Sequence, residues 1–276
     1  MLPIFIPTLN RAHLRGQQTT RQRALRNLPQ SLRKYTTLVV DPVDHHEHRR
    51  DYRDIVDEFG CKLAVVEGHR LGIALTRHYI GKFLAKNKFV MVDDDLRFYH
   101  RLNGDHKHLY KNSEEDTEQM FEDLEAALDK YAHVAISARQ FNNAETNKPD
   151  FRENKRAIRV LAFRRKEFLS VEHGRVDIME DFDVTLQLLR KGYPNLVFNK
   201  WSQDQYETQE VGGCSTYRTR QLHDASVRKM AQLHADFIKL VEKKDNRAGG
   251  DFGTRLEAQI KWEKAYESSQ HTHRFF

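Results

Sequence analysis

Four short, unbroken apolar runs narrow the folds open to this chain: IFIPT, TLVV, KLAVV and FVMV, all before Asp93. Each is too short for a stable helix, and each is separated from the next by a polar stretch with helical periodicity. The spacing predicts strands over Pro3–Thr8, Thr37–Val40, Lys62–Val66 and Phe89–Val92. Between them it predicts helices over Thr20–Leu32, over Asp51–Phe59 with Gly60 as its stop, and over Leu71–Ala85. Strands without polar alternation are buried on both faces, as in a parallel sheet covered by helices. In such sheets ligands bind outside the carboxyl ends of the strands. Thr8, Asp41 and Asp93 stand at those ends.

Beyond this half the pattern is less regular. It predicts a helix over Glu114–Tyr131, a strand over Val134–Ala138 and a polar loop over Arg139–Lys155. A strand over Ile158–Phe163, a helix over Asp181–Lys191 and a short strand over Asn195–Phe198 follow. Lys200–Arg220, with Gly212 and Gly213, reads as a long loop, and Leu222–Lys243 as a helix. Lys244–Gly253 reads as a linker, and Thr254–Tyr266 as a tail helix. The 276 residues suffice for a sizeable core. No apolar run approaches the roughly 18 residues that span a bilayer. MLPIFIPTLNRAHLRG has none of the layout of a signal peptide. With only Cys61 and Cys214 present, this points to a reduced, cytoplasmic setting rather than a disulfide scaffold. A formal net charge of +6 permits a polyanionic partner without requiring one.

The fourth run drives directly into Asp93, Asp94 and Asp95. Adjacent carboxylates repel unless something positive lies between them, and on extended chain Asp93 and Asp95 would point to one side and Asp94 to the other. Hard divalent cations, Mn²⁺ or Mg²⁺, take such oxygen ligands and are often completed by substrate phosphates. A second acidic group, Glu180, Asp181 and Asp183, opens the helix predicted near residue 181. Acidic residues there complement the helix dipole, and one of them can serve as a positioned general base.

Taken in order, IFIPTLNR, VVD, GIALTRHYIGKFL, FVMVDDDL and MEDFDVTLQLLRKGY resemble the glycosyltransferases of GT-A fold over roughly residues 1–200. The resemblance implies an α/β fold with a Rossmann-like, mostly parallel central sheet, helices on both faces and a helical C-terminal extension. Residues 1–220 would form the catalytic domain, with 1–98 as the nucleotide-sugar half and 99–220 as the acceptor half, and 221–276 would be the extension. A nucleoside-diphosphate sugar, UDP-linked, and a divalent cation are implied as donor and cofactor. Pro7, Thr8 and Arg11 would line the nucleotide pocket, Asp41 would face the base or ribose, and Gly72 and Arg77 would approach the diphosphate. Asp93 and Asp95 would serve the metal, with Asp94 beside the donor and a histidine, His223 ahead of His234, as a third ligand. Glu180 and Asp181 match the acidic pair at the catalytic helix, with Asp181 as the base of an inverting enzyme.

The acceptor is suggested by basic groups with interleaved aromatics. Arg152–Lys166 (RENKRAIRVLAFRRK) is strongly basic, Arg97 and Tyr99 follow the aspartates, and Arg218 and Arg220 lie in a basic stretch that continues to Arg247. Cations that neutralise phosphates and rings that stack on a displaced base suit nucleic acid. With Arg156, these residues form the expected DNA-binding set. The chain is similar in these respects to the TET-associated glycosyltransferases of bacteriophages, which implies 5-hydroxymethylcytosine in DNA as acceptor and a host cytoplasm as the setting. The alternatives are a glycan, lipid-linked or small-molecule acceptor, a nucleotidyltransferase, and a DNA-binding module without catalysis.

Overall fold

The computed structural model describes residues 1–14, 22–68, 71–103, 105–139, 149–205, 213–244 and 254–272; the side chains of 106, 214, 215, 271 and 272 are not among them. Gly212, Arg247 and most of the expected 244–253 linker lie outside the described residues.

The chain opens with strand β1 (Ile4–Thr8), short helices α1 (Arg23–Asn27) and α2 (Gln30–Arg33), and strand β2 (Thr36–Val40). Helices α3 (Pro42–Glu47) and α4 (Arg49–Phe59) lead to β3 (Lys62–Val65), and α5 (Gly72–Tyr79) runs through a π turn (Ile80–Leu84) into β4 (Lys88–Val92). Next come β5 (Leu96–Leu102), β6 (Asp105–Lys111), α6 (Glu114–Ala127), β7 (His133–Ala138), β8 (Phe151–Glu153) and β9 (Val160–Arg164). Helices α7 (Arg165–Phe168) and α8 (Glu180–Arg190) precede β10 (Asn195–Gln205). The C-terminal part is α9 (Arg220–Leu233), β11 (Ile238–Lys244), β12 (Thr254–Ile260) and α10 (Trp262–Thr272).

Ten strands form one sheet in the order β3-β2-β1-β4-β9-β7-β10-β5-β6, with β8 pairing β10 off this path. The four strands that the apolar runs predict form one parallel block and β7 pairs β10 in parallel as well; β9 and β5 run antiparallel to their neighbours. Side chains alternate between two cores. Ile4, Ile6, Val90 and Val92 pack on one face with α1, α4 and α6 residues. Phe5, Phe89 and Met91 pack on the other with residues of α8 and the π turn. Full burial of each such side chain is worth about 1.5–3 kcal/mol, which is why these runs carry no polar alternation.

One detail of the register shapes the site. The β1–β4 ladder stops at Phe5↔Met91, although β1 continues to Thr8. Pro3 accepts from Val90 N through its carbonyl, so by alternation residue 7 would supply the next donor toward β4. That residue is Pro7, which has no N–H. The strands therefore part at their carboxyl ends, and β4 continues its pairing on the other side with β9 as far as Val92↔Val160.

The helix expected over Thr20–Leu32 is broken into α1 and α2 at Pro29, β8 lies within the loop expected over Arg139–Lys155, and two larger regions also differ from the sequence expectation. Strand β10 runs through the expected loop from Lys200 to Gln205, carrying buried Ser202, Gln203 and Asp204. A register shift between Phe198 and Ser202 lets it pair β8 early and β5 late while keeping β7 on its other side. The helices expected in the C-terminal extension are present as α9 and α10, but α9 ends at Leu233 and an antiparallel ribbon, β11–β12, stands between them. Ile238, Ala258 and Ile260 of this ribbon join Phe182, Leu186 and Trp262 in a third apolar cluster. No helix among the described residues is long and apolar enough to cross a membrane.

The π turn is held to the sheet by a close approach at Gly81, where a Cβ would lie 2.3 Å from Phe168 Cε1. Phe168 cannot yield easily, because its ring packs edge-on to Phe89 at 5.4 Å and against Phe163 at 4.8 Å. Gly81→Ala should cost about 1–3 kcal/mol through overpacking, read as a lower midpoint in chemical denaturation; an unchanged midpoint would contradict this contact.

Candidate active site

Past the end of the β1–β4 ladder stand Thr8 of β1 and the tripled aspartate that follows β4. Strand β4 ends at Val92, so Asp94 and Asp95 lie in a turn rather than on extended chain. The alternation expected of Asp93 and Asp95 therefore does not apply, and each carboxylate takes its own partners. Asp94 accepts from Thr8 Oγ1 at 2.6 Å and from Arg11 Nη1 at 2.7 Å. Asp95 accepts from Arg11 Nη2 at 3.4 Å and from Gln205 Nε2 at 3.1 Å. Asp93 takes a different partner and accepts from Arg77 Nη2 at 2.7 Å, with Asp95 close enough to act on it.

Arg77 then joins the two acidic motifs. Its Nη1 donates to Glu180 Oε1 at 2.6 Å while Nη2 holds Asp93. The guanidinium sits on α5, Glu180 opens α8 and Asp93 follows β4, so three elements distant in sequence meet at one planar cation. Met179, just before Glu180, has φ 68°, a backbone conformation rare for a side chain of its size. Arg159, with φ 66°, accepts from Asp93 N through its carbonyl at 3.0 Å and donates from Nη1 to Gln203 Oε1 at 3.2 Å. Asp181 stands beside Glu180, half-buried, with Oδ1 accepting from Phe182 N at 2.9 Å. A small pocket lined by Ala74, Arg77, Phe168, His173, Glu180 and Asp181 adjoins the cluster.

These carboxylates are short of compensating charge. Burial pushes Asp93 above the usual range despite Arg77, and pushes Asp94 up to about 6 despite Arg11. Burial likewise raises Glu180 to about 7, with Arg77 opposing and Asp181 and Asp93 adding to the rise. Among the described residues, Asp93, Asp94, Asp95 and Glu180 form ion pairs with Arg11 and Arg77, Arg159 also acts on Asp93, and such a gathering of oxygen donors suits a hard divalent cation. The described residues contain no group of three His, Cys, Asp or Glu side chains able to hold a metal by themselves, so substrate oxygens would have to complete the shell.

Several expected site residues take other places. His223 lies on α9 with Nδ1 3.3 Å from Asp224 Oδ1, its own neighbour, and is not assembled with Asp93 and Asp95 into a three-ligand set. His234 is buried and pairs through Nε2 with Asp183 Oδ1 at 2.8 Å. Asp183 also accepts from Arg175 Nε at 3.0 Å, so this acidic residue locks α8 to the C-terminal part. Asp41 caps α3, accepting from Val43 N at 2.9 Å. Gly72 opens α5 at φ 69°, and Ile73 N donates to Tyr217 Oη at 3.4 Å. Pro7 is a buried β1 residue. None of these three belongs to the carboxylate–arginine cluster. Arg97 and Tyr99 lie half-buried on β5, and Arg218 and Arg220 are exposed at the start of α9. Arg156 places its guanidinium 4.6 Å over the Phe182 ring, next to Asp181.

Sequence reasoning missed Gln22, whose Nε2 donates to Thr8 Oγ1 at 3.0 Å, and Gln205, which steadies Asp95. It missed Asp44, fully buried, which accepts from Asn10 N at 2.7 Å and Tyr52 Oη at 2.6 Å. Amides and a lone helical aspartate have no spacing signal; only the turn of the chain after β1 brings them in.

The raised Glu180 has a thermodynamic signature. Its folded pKa exceeds its unfolded value of 4.5, so its contribution to stability is greatest below about pH 4.5 and is lost as pH rises through about 7. Glu180→Gln should therefore gain stability relative to the parent as pH rises from 5 to 8, by up to about 3 kcal/mol. Thermal melts of both proteins across that range measure the difference; a constant difference would show that Glu180 is not strained by burial.

The model of the TET-associated glycosyltransferase family matches residues 2–213. The beta-glucosyl-HMC-alpha-glucosyl-transferases of Enterobacteria phages T2 and T6 are each 24% identical to the chain over 219 residues, which is 73% of this chain and 76% of theirs. Among solved structures, a mannosyltransferase from Pyrobaculum calidifontis in complex with GDP-Man and Mn²⁺ superposes with a TM-score of 0.54 at 13% identity, over 84% of this chain and 64% of that one. Glucosyl-3-phosphoglycerate synthase from Mycobacterium tuberculosis superposes with a TM-score of 0.52 at 9% identity, over 93% of this chain and 86% of that one. These two likenesses establish a shared glycosyltransferase fold, and the family match extends over the strands, the aspartate turn and the Arg77–Glu180 pair. The chain belongs to the TET-associated glycosyltransferase family.

Proposed function

We propose that the chain moves a sugar from a UDP-sugar to the hydroxymethyl group of 5-hydroxymethylcytosine in DNA, in the cytoplasm of an infected host. The observation that carries this reading is the gathering of Asp93, Asp94, Asp95 and Glu180 around Arg11 and Arg77 at the parted ends of β1 and β4. The phage relatives, named for HMC, support the acceptor. They are named for a glucosylated HMC, so the free and the glucosylated base are both to be assayed.

In this reading Asp93 and Asp95 would hold Mn²⁺ or Mg²⁺, with substrate oxygens completing the shell. The bound cation supplies Lewis-acid stabilisation of the charge that develops on the departing diphosphate. Thr8 and Arg11 fix Asp94, and Arg11 with Gln205 fixes Asp95, so both carboxylates keep one orientation as the donor binds. Arg77 fixes Asp93 against Glu180 and keeps a positive charge beside the site of diphosphate departure. Asp181 Oδ2 takes the proton of the acceptor hydroxyl as its oxygen bonds to the anomeric carbon and the carbon–oxygen bond to the diphosphate breaks. The electron pair of that bond leaves with the nucleoside diphosphate. General-base help of this kind is worth roughly 10²–10⁴-fold in rate.

The test is mass spectrometry of hydroxymethylcytosine DNA, plain and β-glucosylated, incubated with a panel of nucleotide sugars and Mn²⁺ or Mg²⁺. One hexose or pentose increment per modified base is expected. Asp181→Asn should lower the rate by about 10²–10⁴-fold while donor binding persists. No mass gain on either DNA with any donor would overturn the acceptor assignment, and full-rate transfer by Asp181→Asn would remove it as the base.

A further inference from the structure

The β11–β12 ribbon lies beyond the residues that the family model matches and has two unlike faces. Ile238, Ala258 and Ile260 turn to the third apolar cluster. The opposite face carries Lys239, Val241 and Lys243 across from Gln259, Glu257 and Arg255. Lys239 and Lys243 are exposed, as is Lys244 at the end of the strand. Glu257, the one acid on that face, is already paired with Arg255 at 2.7 Å. Lys243 stands directly opposite Arg255 in the register, and with Arg255 engaged by Glu257 the exposed cations that face an incoming anion are Lys239 and Lys243.

The ribbon is also aimed. Trp262, just past β12, meets the Phe182 ring edge-on at 5.6 Å, and Phe182 follows Asp181. Lys155 pairs with Glu263 of α10 at 2.6 Å, and Leu256 N donates to Asp224 Oδ1 at 3.3 Å, which fastens β12 to α9. Arg156, which covers Phe182, lies in the field of both Asp181 and Glu257. The cationic face therefore borders the proposed acceptor side of the site. Lys239 and Lys243 are four residues apart on it, about 13 Å along an extended strand, and a duplex strand presents a phosphate every ~3.4 Å of axis. A two-stranded ribbon also has the width to follow a major groove.

We infer that the β11–β12 ribbon is an arm that grips the phosphate backbone of the acceptor DNA beside the target base, through Lys239 and Lys243. This rests on the DNA-acceptor reading, which it extends to a named surface.

The test is fluorescence anisotropy of a hydroxymethylcytosine duplex binding to the full chain across a salt series. It compares the parent with Lys239→Ala/Lys243→Ala and with Lys239→Arg/Lys243→Arg, after melts that verify folding. The alanine pair should bind on the order of tenfold more weakly or worse, and its slope of log affinity against log salt should be shallower by about 0.9 for each lysine. The arginine pair should restore both. Unchanged affinity and slope in the alanine pair would overturn the arm while leaving the acceptor assignment standing, whereas a parent that does not bind the duplex at low salt would overturn both. A duplex that is bound with the expected slopes but never gains a sugar would sustain the arm and overturn the acceptor assignment instead.

Discussion

A single buried guanidinium organises this molecule. Arg77 donates to Asp93 with one nitrogen and to Glu180 with another, both at ion-pair distance. Neither carboxylate could be buried alone, since an uncompensated charge in a protein interior costs several kcal/mol. A planar, always-charged fork satisfies two such groups with fixed geometry, which a lysine would not. The packing of α5 and α8 on one face of the sheet is thus tied to the same contact that aligns the two acidic motifs. The aspartate turn in turn borrows Arg11 and Thr8 from the chain after β1. The carboxylate–arginine cluster is complete only when β1, β4, α5 and α8 are all in place.

The first strands and their order were legible because the physics that forms them is local. Phe89, Val90, Met91 and Val92 are buried on alternate faces, and nothing but a two-sided sheet accommodates that run. Helix α8 was legible to within a residue, because its acidic start and apolar stripe agree. Strand β10 was not: Ser202, Gln203 and Asp204 look like loop residues, yet they are buried through partners supplied by Ser137, Arg159 and Arg139. Polar residues in a strand are unreadable when the groups that satisfy them lie far away in sequence. The β11–β12 ribbon was missed for a similar reason, since IKLVEKK has the composition of a charged helix and its strand partner lies across residues 245–253.

The same split runs through the site. Asp93, Glu180 and Arg77 were each found as motif members, but their direct contact has no signature in spacing. The pairing of Asp93 with Asp95 was expected from strand alternation, which ends where β4 ends. His223 was a reasonable ligand by residue type, yet α9 directs it to Asp224. Chemistry-bearing residue types were therefore readable, while their partners were decided by turns. Membership of the glycosyltransferase family also removes the nucleotidyltransferase and the non-catalytic module from the alternatives.

Pro7 gives the β1–β4 ladder a built-in limit. Were an N–H present there, β1 could add a further rung to β4 and draw Thr8 toward Val92. Cyclising one backbone nitrogen blocks that rung while β2 keeps its register with Pro7 through Val39. What stands past the ladder's end, Thr8 Oγ1 against Asp94, is therefore a side-chain contact rather than another rung of backbone, set by the omission of one hydrogen atom.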